Sequence, residues 1–92
     1  MDDDIIGDVK RLIERGDLDS LQSYYSDLLE TYDATTIDFP YLFRHIYVHA
    51  CLKKQTHIVN WLKELYETMD PIIKIALRQI FAYGDYLMKK TH

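Results

Sequence analysis

The segment that decides the fold occurs three times in the chain: Leu12-Ile-Glu-Arg-Gly-Asp-Leu-Asp-Ser-Leu21, Ala50-Cys-Leu-Lys-Lys-Gln-Thr-His-Ile-Val59 and Ile80-Phe-Ala-Tyr-Gly-Asp-Tyr-Leu-Met-Lys89. Each copy begins with two apolar residues, passes through a polar break and returns to apolar residues at helical spacing. We interpret this pattern as the turn between two antiparallel helices. Copies that start at residues 12, 50 and 80 have spacings typical of stacked helical arrays, whose periods are about 20 to 50 residues. The segment therefore predicts an all-α repeat protein.

Capping residues and apolar periodicity predict where the first helices lie. A first helix over about 3–15 ends at Gly16, a residue that accepts the positive φ of a helix end. Asp17 then caps a second helix that runs to about residue 31. The stretch 32–38 lacks apolar periodicity and is the longest predicted loop.

Proline and threonine mark the starts of the remaining helices. Pro40 suits the first turn of a third helix, predicted over about 39–53, and Thr56 is the predicted cap of a fourth. Pro71 opens a fifth helix, in which Gly84 either breaks or bends the chain. The predicted apolar residues of this last helix are Ile72, Ile73, Ile75, Ala76, Leu77, Ile80 and Phe81.

Composition indicates a single folded domain. The 92 residues are 48% hydrophobic, so wholesale disorder is not expected. The net charge of -4 disfavours nucleic acid as a partner, and the single Cys51 excludes an internal disulfide. The acidic start has no secretory signal pattern, and no apolar run approaches the ~20 residues that span a bilayer. We therefore expect no membrane insertion and an intracellular location, cytoplasmic or nuclear.

The middle copy resembles an ankyrin repeat. In that family a pair of small residues on an inner helix leads through a turn to an Ile-Val-x-x-Leu outer helix. Ala50-Cys51 match the small pair, and Ile58-Val59-Asn60-Trp61-Leu62 match the outer helix. Gly16-Asp17 matches the turn of the first unit, and Gly84-Asp85 repeats it in the third. The Trp in the outer helix is similar to the divergent ankyrin arrays of large DNA viruses, so the resemblance suggests a viral source.

The resemblance implies a short, distorted ankyrin-like array of five or six antiparallel helices, with units near 3–31, 39–68 and 70–92. Lys54-Gln55 replaces the turn glycine of the middle unit, and bulky pairs replace the small pair in the outer two. The spacing also departs from the family period of about 33 residues. An unrelated five-helix bundle is the alternative fold.

Ankyrin repeats bind proteins through the exposed side of their inner helices and through the tips between units. Carried over by position, the partner-binding residues that the resemblance implies are Arg11, Glu14, Arg15, Tyr32, Asp33, His49, Leu52, Lys53, Gln79 and Tyr83. Basic residues also lie near each of the three copies, at Arg11 with Arg15, Lys53-Lys54 and Lys89-Lys90, and would align into a strip if the units stack.

No motif indicates catalysis or a cofactor. A zinc site that uses His45 and His49 is conceivable because the two lie on one helical face, but no carboxylate or second Cys completes a ligand pattern. Cys51, in a packed small-residue position, is expected to behave as a small hydrophobic side chain rather than a nucleophile. We therefore predict no metal, no cofactor and no enzymatic activity.

The sequence thus predicts a non-enzymatic protein–protein interaction module. If the source is viral, it would be an accessory protein that binds a host or viral protein in the host cell. The alternatives are a small helical nucleic-acid-binding or regulatory protein, with Arg78 and Gln79 among its contacts, and, after that, a zinc-binding helical protein. We also expect self-association through an uncovered apolar end that includes Tyr83, Tyr86 and Met88.

Overall fold

The computed structural model describes residues 3–33 and 35–89, and all regular structure in these ranges is helical. The helices are α1 (Asp3–Arg15), α2 (Leu18–Thr31), α3 (Phe39–Leu52), α4 (Thr56–Glu67) and α5 (Pro71–Lys89). The all-α prediction is confirmed, and the described part of the chain has five helices. Residues 90–92, the end of the third predicted unit, lie outside the described residues.

The first two copies of the repeated segment form the same turn. Gly16 has a φ of +68° and Lys54 a φ of +57°, both in the left-handed region. The amide of Asp17 donates to the carbonyl of Leu12 over 3.1 Å, and the amide of Gln55 donates to that of Ala50 over 3.0 Å. These are equivalent bonds of a Schellman-type helix end. In the second turn a lysine takes the conformation that favours glycine.

The third copy does not form a turn. Its residues lie within α5, which continues through Gly84 to Lys89. Gly84 is buried, and a Cβ there would overlap the ring of Tyr47 and lie 3.0 Å from Sγ of Cys51. The missing side chain therefore allows α5 to approach α3 closely. The predicted break at this glycine is wrong, because α5 continues through it, and the alternative of a bend stays a prediction.

The helices form two rows. α3 is central and packs against α1, α4 and α5, so the inner row is α1, α3, α5. α2 packs on α1 and α4 packs on α3, which places these two helices in an outer row. The outer helices meet where the rings of Tyr25 and Trp61 contact edge to face at 5.8 Å.

An aromatic cluster joins α5 to α3 and α4. Phe81 lies with its ring centroid 4.8 Å from that of Tyr47 and 4.5 Å from that of Tyr66. The Tyr66 hydroxyl donates to the carbonyl of Lys74 over 2.9 Å, so the buried end of the ring is also satisfied. Large aromatic side chains with a polar tip thus hold the last helix in place.

Two helix details differ from the predictions. The N-cap of α4 is Gln55, without a side-chain bond, and Thr56 is the first residue of the helix rather than its cap. On α5, Ile72 is 81% exposed and Ile75 is 72% exposed, so these two lie outside the core. The sequence assigned no buried side to this helix, because α5 is apolar on two sides and periodicity alone cannot say which side a neighbour covers.

Candidate functional site

The inner row leaves one side of α3 open to solvent. Tyr41 is 44% exposed and Leu52 is 52% exposed, with Arg44 and Val48 between them at helical spacing. The opposite side of α3 is fully buried, so this stripe is the part of the helix that no neighbour covers. We call this surface, together with the adjoining exposed residues of α1 and α5, the inner face.

A groove of about 430 Å³ runs between α3 and α5 on the inner face. Its lining residues are Arg44, Val48, Ala76, Gln79, Ile80 and Tyr83. Two predicted binding residues, Gln79 and Tyr83, are therefore brought together with Arg44. The sequence had not singled out Arg44 or Val48, although their helical spacing from Leu52 could have indicated both.

The inner face is positively charged where α1 meets α3. Burial, and then the charges of Lys10 and Arg44, hold the pKa of His45 below its usual range. Burial also lowers the pKa of His49, with Lys53 and Lys10 acting in the same direction. These effects show that Lys10, Arg44 and Lys53 act on the same small region.

Glu14 is the acidic group beside these histidines. Its Oε1 lies 3.4 Å from Nε2 of His49, and its charge partly opposes the effect of burial on the pKa of His49. The Nε2 atom is buried and makes no hydrogen bond within the described residues. The structure thus brings two of the predicted binding residues, Glu14 and His49, together, in a contact that is electrostatic rather than a well-formed hydrogen bond.

Arg11 lies apart from this pair. It forms an ion pair with Asp8, and Asp8 also accepts a hydrogen bond from the Tyr24 hydroxyl of α2 over 3.0 Å. Arg11 therefore belongs to the α2 side of α1, whereas Lys10, four residues before Glu14, shares the face of Glu14. Arg15 is exposed at the end of α1. Lys10 was not among the predicted binding residues, although it directly precedes Arg11 in the chain.

The predicted tip residues Tyr32 and Asp33 lie at the other end of α2, away from the turn at Gly16. Oδ1 of Asp33 accepts hydrogen bonds from the amides of Thr35, at 3.0 Å, and Thr36, at 3.1 Å. Hydrogen bonds from both threonines hold the pKa of this carboxyl below its usual range. Asp33 thus organises its own loop and is not grouped with the inner-face residues.

An apolar groove of about 290 Å³ lies near these tips. Its lining residues are Tyr25, Leu29, Phe39, Pro40, Leu65, Met69 and Ile73. Leu29 at its edge is 50% exposed. The groove adds apolar surface at the loop end of the molecule, but no charged group helps define an occupant for it.

The second turn connects three parts of the structure. Nε2 of His57 lies 2.9 Å from the carbonyl oxygen of Gly16, which joins the two turns. Nζ of Lys54 donates to the carbonyl of Leu87 and, over 3.0 Å, to that of Met88 at the end of α5. Lys54 therefore binds main-chain oxygens at the end of α5. Arg11, Arg15, Lys53 and Lys89 are exposed and Lys90 lies outside the described residues, so alignment of the basic residues into a strip stays a prediction.

Reactive side chains are not grouped for chemistry. Cys51 is buried against Tyr47 and Gly84, and burial raises the pKa of its thiol. The ring of His45 packs edge to face on Tyr41 at 4.5 Å. Across residues 3–33 and 35–89, no three side chains of His, Cys, Asp or Glu are placed to hold a metal ion.

Comparison with known proteins assigns no family to the chain. No family model, no curated protein and no solved structure matches it. Within the described ranges, none of the helices combines the length and apolar character needed to cross a lipid bilayer. The surfaces of the described residues are therefore the guide to function.

Proposed function

We propose that this chain is a short, distorted ankyrin-like repeat protein that acts as a non-enzymatic protein–protein interaction module. The shared turn geometry at Gly16 and Lys54 supports repetition of a helix–turn–helix unit. The contact between Gly16 and His57 supports stacking of the two units. In this proposal α5 stands in the place of a third inner helix.

The groove between α3 and α5 is the observation that carries the functional proposal. Arg44 and Tyr83 line it, and Tyr83 is 51% exposed. Arginine and tyrosine are the side chains that most often anchor protein interfaces, because each combines a large apolar body with hydrogen-bonding groups. The exposed Leu52 extends the apolar part of the same face.

The charge of the inner face indicates the chemistry of the partner. Lys10, Arg44 and Lys53 make it locally positive, whereas the whole chain has a net charge of -4. We expect a protein segment with apolar side chains for the groove and carboxylates for its cationic margin. In the viral hypothesis this segment belongs to a host or viral protein.

Site-specific photocrosslinking in producing cells tests this proposal. A benzophenone amino acid replaces Tyr83 in the groove, and a matched variant has it at Asn60, which is exposed on the outer helix α4. We expect an adduct with a protein other than a second copy of this chain from position 83, recognised by its mass, that is absent from position 60 and lost when Arg44→Glu is added. Equal labelling of that other protein from both positions, or labelling of it that survives Arg44→Glu, would contradict the proposal.

Nucleic acid is the competing occupant of a positive face. Binding of duplex DNA or RNA by the purified chain, with an affinity that falls steeply as salt rises, would replace the proposal with that alternative. Arg44→Glu distinguishes the two further, because loss of one phosphate contact reduces the salt slope by about one unit.

A further inference from the structure

Among residues 3–33 and 35–89, no other helix covers a second apolar side of α5. Its core side, with Leu77, Ile80 and Leu87, packs into the domain. On the other side Ile72 and Ile75 are 81% and 72% exposed, and Tyr86 is 60% exposed. These three exposed side chains form an apolar stripe along the whole helix.

The stripe is symmetric about Gln79. Ile72 and Ile75 lie seven and four residues before it, and Tyr83 and Tyr86 lie four and seven residues after it. The positions three residues away on either side are alanines, Ala76 and Ala82, both exposed. Positions three, four and seven residues apart are those that share one side of a helix. The positions of the exposed apolar residues are therefore symmetric about Gln79, with isoleucines before it and tyrosines after it.

We propose that α5 binds the α5 of a second copy of this chain in antiparallel orientation, with the two-fold axis at Gln79. In that arrangement each residue faces the residue at the same distance on the other side of the axis. Ile72 meets Tyr86 of the second copy, Ile75 meets its Tyr83, and alanines meet near the axis, where they permit close approach of the helices. Such an isologous contact uses one surface twice and closes at two copies.

The polar groups of α5 favour an antiparallel pair over a parallel pair. Gln79 meets Gln79 of the second copy, and two amides can each donate to and accept from the other. The beginning of each α5, next to the exposed Asp70, lies at the end of the other α5, where Lys89 is exposed. Antiparallel helix dipoles add to this charge pairing. A parallel pair would instead set Asp70 beside Asp70 and Lys89 beside Lys89.

The contact area indicates a weak dimer. The four large side chains offer roughly 500 Å² on each copy, or about 1,000 Å² for the pair, near the lower limit of specific interfaces. We therefore expect a dissociation constant in the micromolar range, with monomer and dimer in exchange. Sedimentation velocity over increasing concentration would show a mass that rises from 11.0 kDa towards twice that value.

Charge substitutions test the surface. Ile75→Glu places a carboxylate in the stripe without entering the core, and we expect it to raise the dissociation constant at least tenfold. Leu29→Glu is the matched control, since Leu29 is an exposed leucine on α2, and it should leave the dimer unchanged. The dimer is measured on the purified chain alone, so failure of this inference is distinct from failure of the partner proposed for the inner face. A strict monomer at all concentrations, or equal effects of Ile75→Glu and Leu29→Glu, would overturn it.

Cysteine crosslinking tests the orientation. Cys51 is buried, so an introduced exposed cysteine is the group that an oxidant can reach. Gln79→Cys lies on the proposed axis and should form a disulfide-linked dimer, seen on a non-reducing gel. Ile72→Cys should not link to itself, because its counterpart is about 20 Å away at 1.5 Å per residue. Efficient linking of both variants, or of neither, would contradict the antiparallel pair.

Discussion

Gly84 determines how closely α5 and α3 approach. The ring of Tyr47 occupies the space that a Cβ would take, and Sγ of Cys51 closes the other side. Gly7 offers the contrast, because it is also helical but the nearest atom to an added Cβ is Nη1 of Arg11, 4.0 Å away. The same residue type is therefore required at one position and replaceable at the other.

Alanine substitutions should separate these two glycines. Gly84→Ala is expected to lower the free energy of unfolding by about 1–3 kcal/mol, because overpacking outweighs the gain in helix propensity. Gly7→Ala, where there is space, should raise it by about 0.5–1 kcal/mol. Urea denaturation followed by circular dichroism measures both. If the Gly84→Ala protein were as stable as the Gly7→Ala protein, a side chain at residue 84 would not be in steric conflict with α3.

The sequence could not assign the role of Gly84 because Gly84-Asp85 has the same two letters as Gly16-Asp17. α1 ends before Gly16, whose φ is +68°. α5 instead continues through Gly84, where the absence of a side chain leaves room for Tyr47. Both situations select glycine. Only the position of α3 distinguishes them, and that is a tertiary contact.

At the scale of elements, the second turn stabilises the end of α5. Lys54 keeps a left-handed φ of +57°, at a conformational cost of about 1 kcal/mol or more for a residue with a Cβ. Its ammonium group binds the carbonyls of Leu87 and Met88, which lie in the last turn of the described part of α5, where a helix needs partners from outside its own hydrogen-bond pattern. The turn thus supplies a C-terminal cap to a helix that is distant in sequence.

Removal of this cap should loosen the last turn of α5. We expect Lys54→Ala to increase amide exchange at Leu87, Met88 and Lys89 roughly fivefold, as the loss of about 1 kcal/mol implies. Lys53→Ala, one residue earlier and also exposed, is the control and should leave these amides unchanged. Hydrogen exchange followed by mass spectrometry reports both. Equal exchange in the two variants would argue against a specific role for Lys54.

Helix positions were predictable to within a residue or two because local signals set them. Asp17 and Asp38 accept bonds from the amides of Ser20 and Tyr41, and such capping depends on the nearest residues alone. The faces of α5 were not predictable, because both its sides are apolar and only α3 decides which is buried. Tyr83 and Tyr86 are exposed as predicted for the uncovered end, but Met88 is half-buried.

At the scale of the whole molecule, the histidines of the inner row link stability to pH. Burial lowers the pKa values of His45 and His49 from 6.5, so the unfolded chain binds their protons more readily than the folded one. The contribution of these two histidines to the free energy of unfolding is therefore fully present above about pH 6.5. It is lost as the pH falls through their lower pKa values in the folded state. The lowered pKa values of Asp17 and Asp33 act only below their usual 3.8, in a separate window.

Urea denaturation between pH 7.5 and 5.0 should show this dependence. We expect the unfolding free energy to fall with decreasing pH in the original chain and to fall much less in the His45→Gln/His49→Gln variant. A matched variant, Asn60→Gln on the outer helix α4, should keep the original dependence. The prediction fails if the double variant retains the same slope.

The inner face as a whole was only partly predictable from the sequence. Gln79, Tyr83 and Leu52 were among the residues that the ankyrin resemblance implies, and their role in binding stays a prediction. Lys10 and Arg44 were missed because their importance arises where α1 and α5 meet α3. Positions on one helix follow from periodicity, but a surface shared by three helices needs their packing.

Gln79 and Tyr83 line the groove and also belong to the symmetric stripe of α5. A side chain buried by one occupant is not accessible to another, so dimer formation and partner binding compete. The concentration of chains with an accessible groove then rises more slowly than the total protein concentration, because an increasing fraction of the chains is dimeric. The cellular response to expression level would flatten at high dose, and the weak self-contact would act as a buffer for free binding sites.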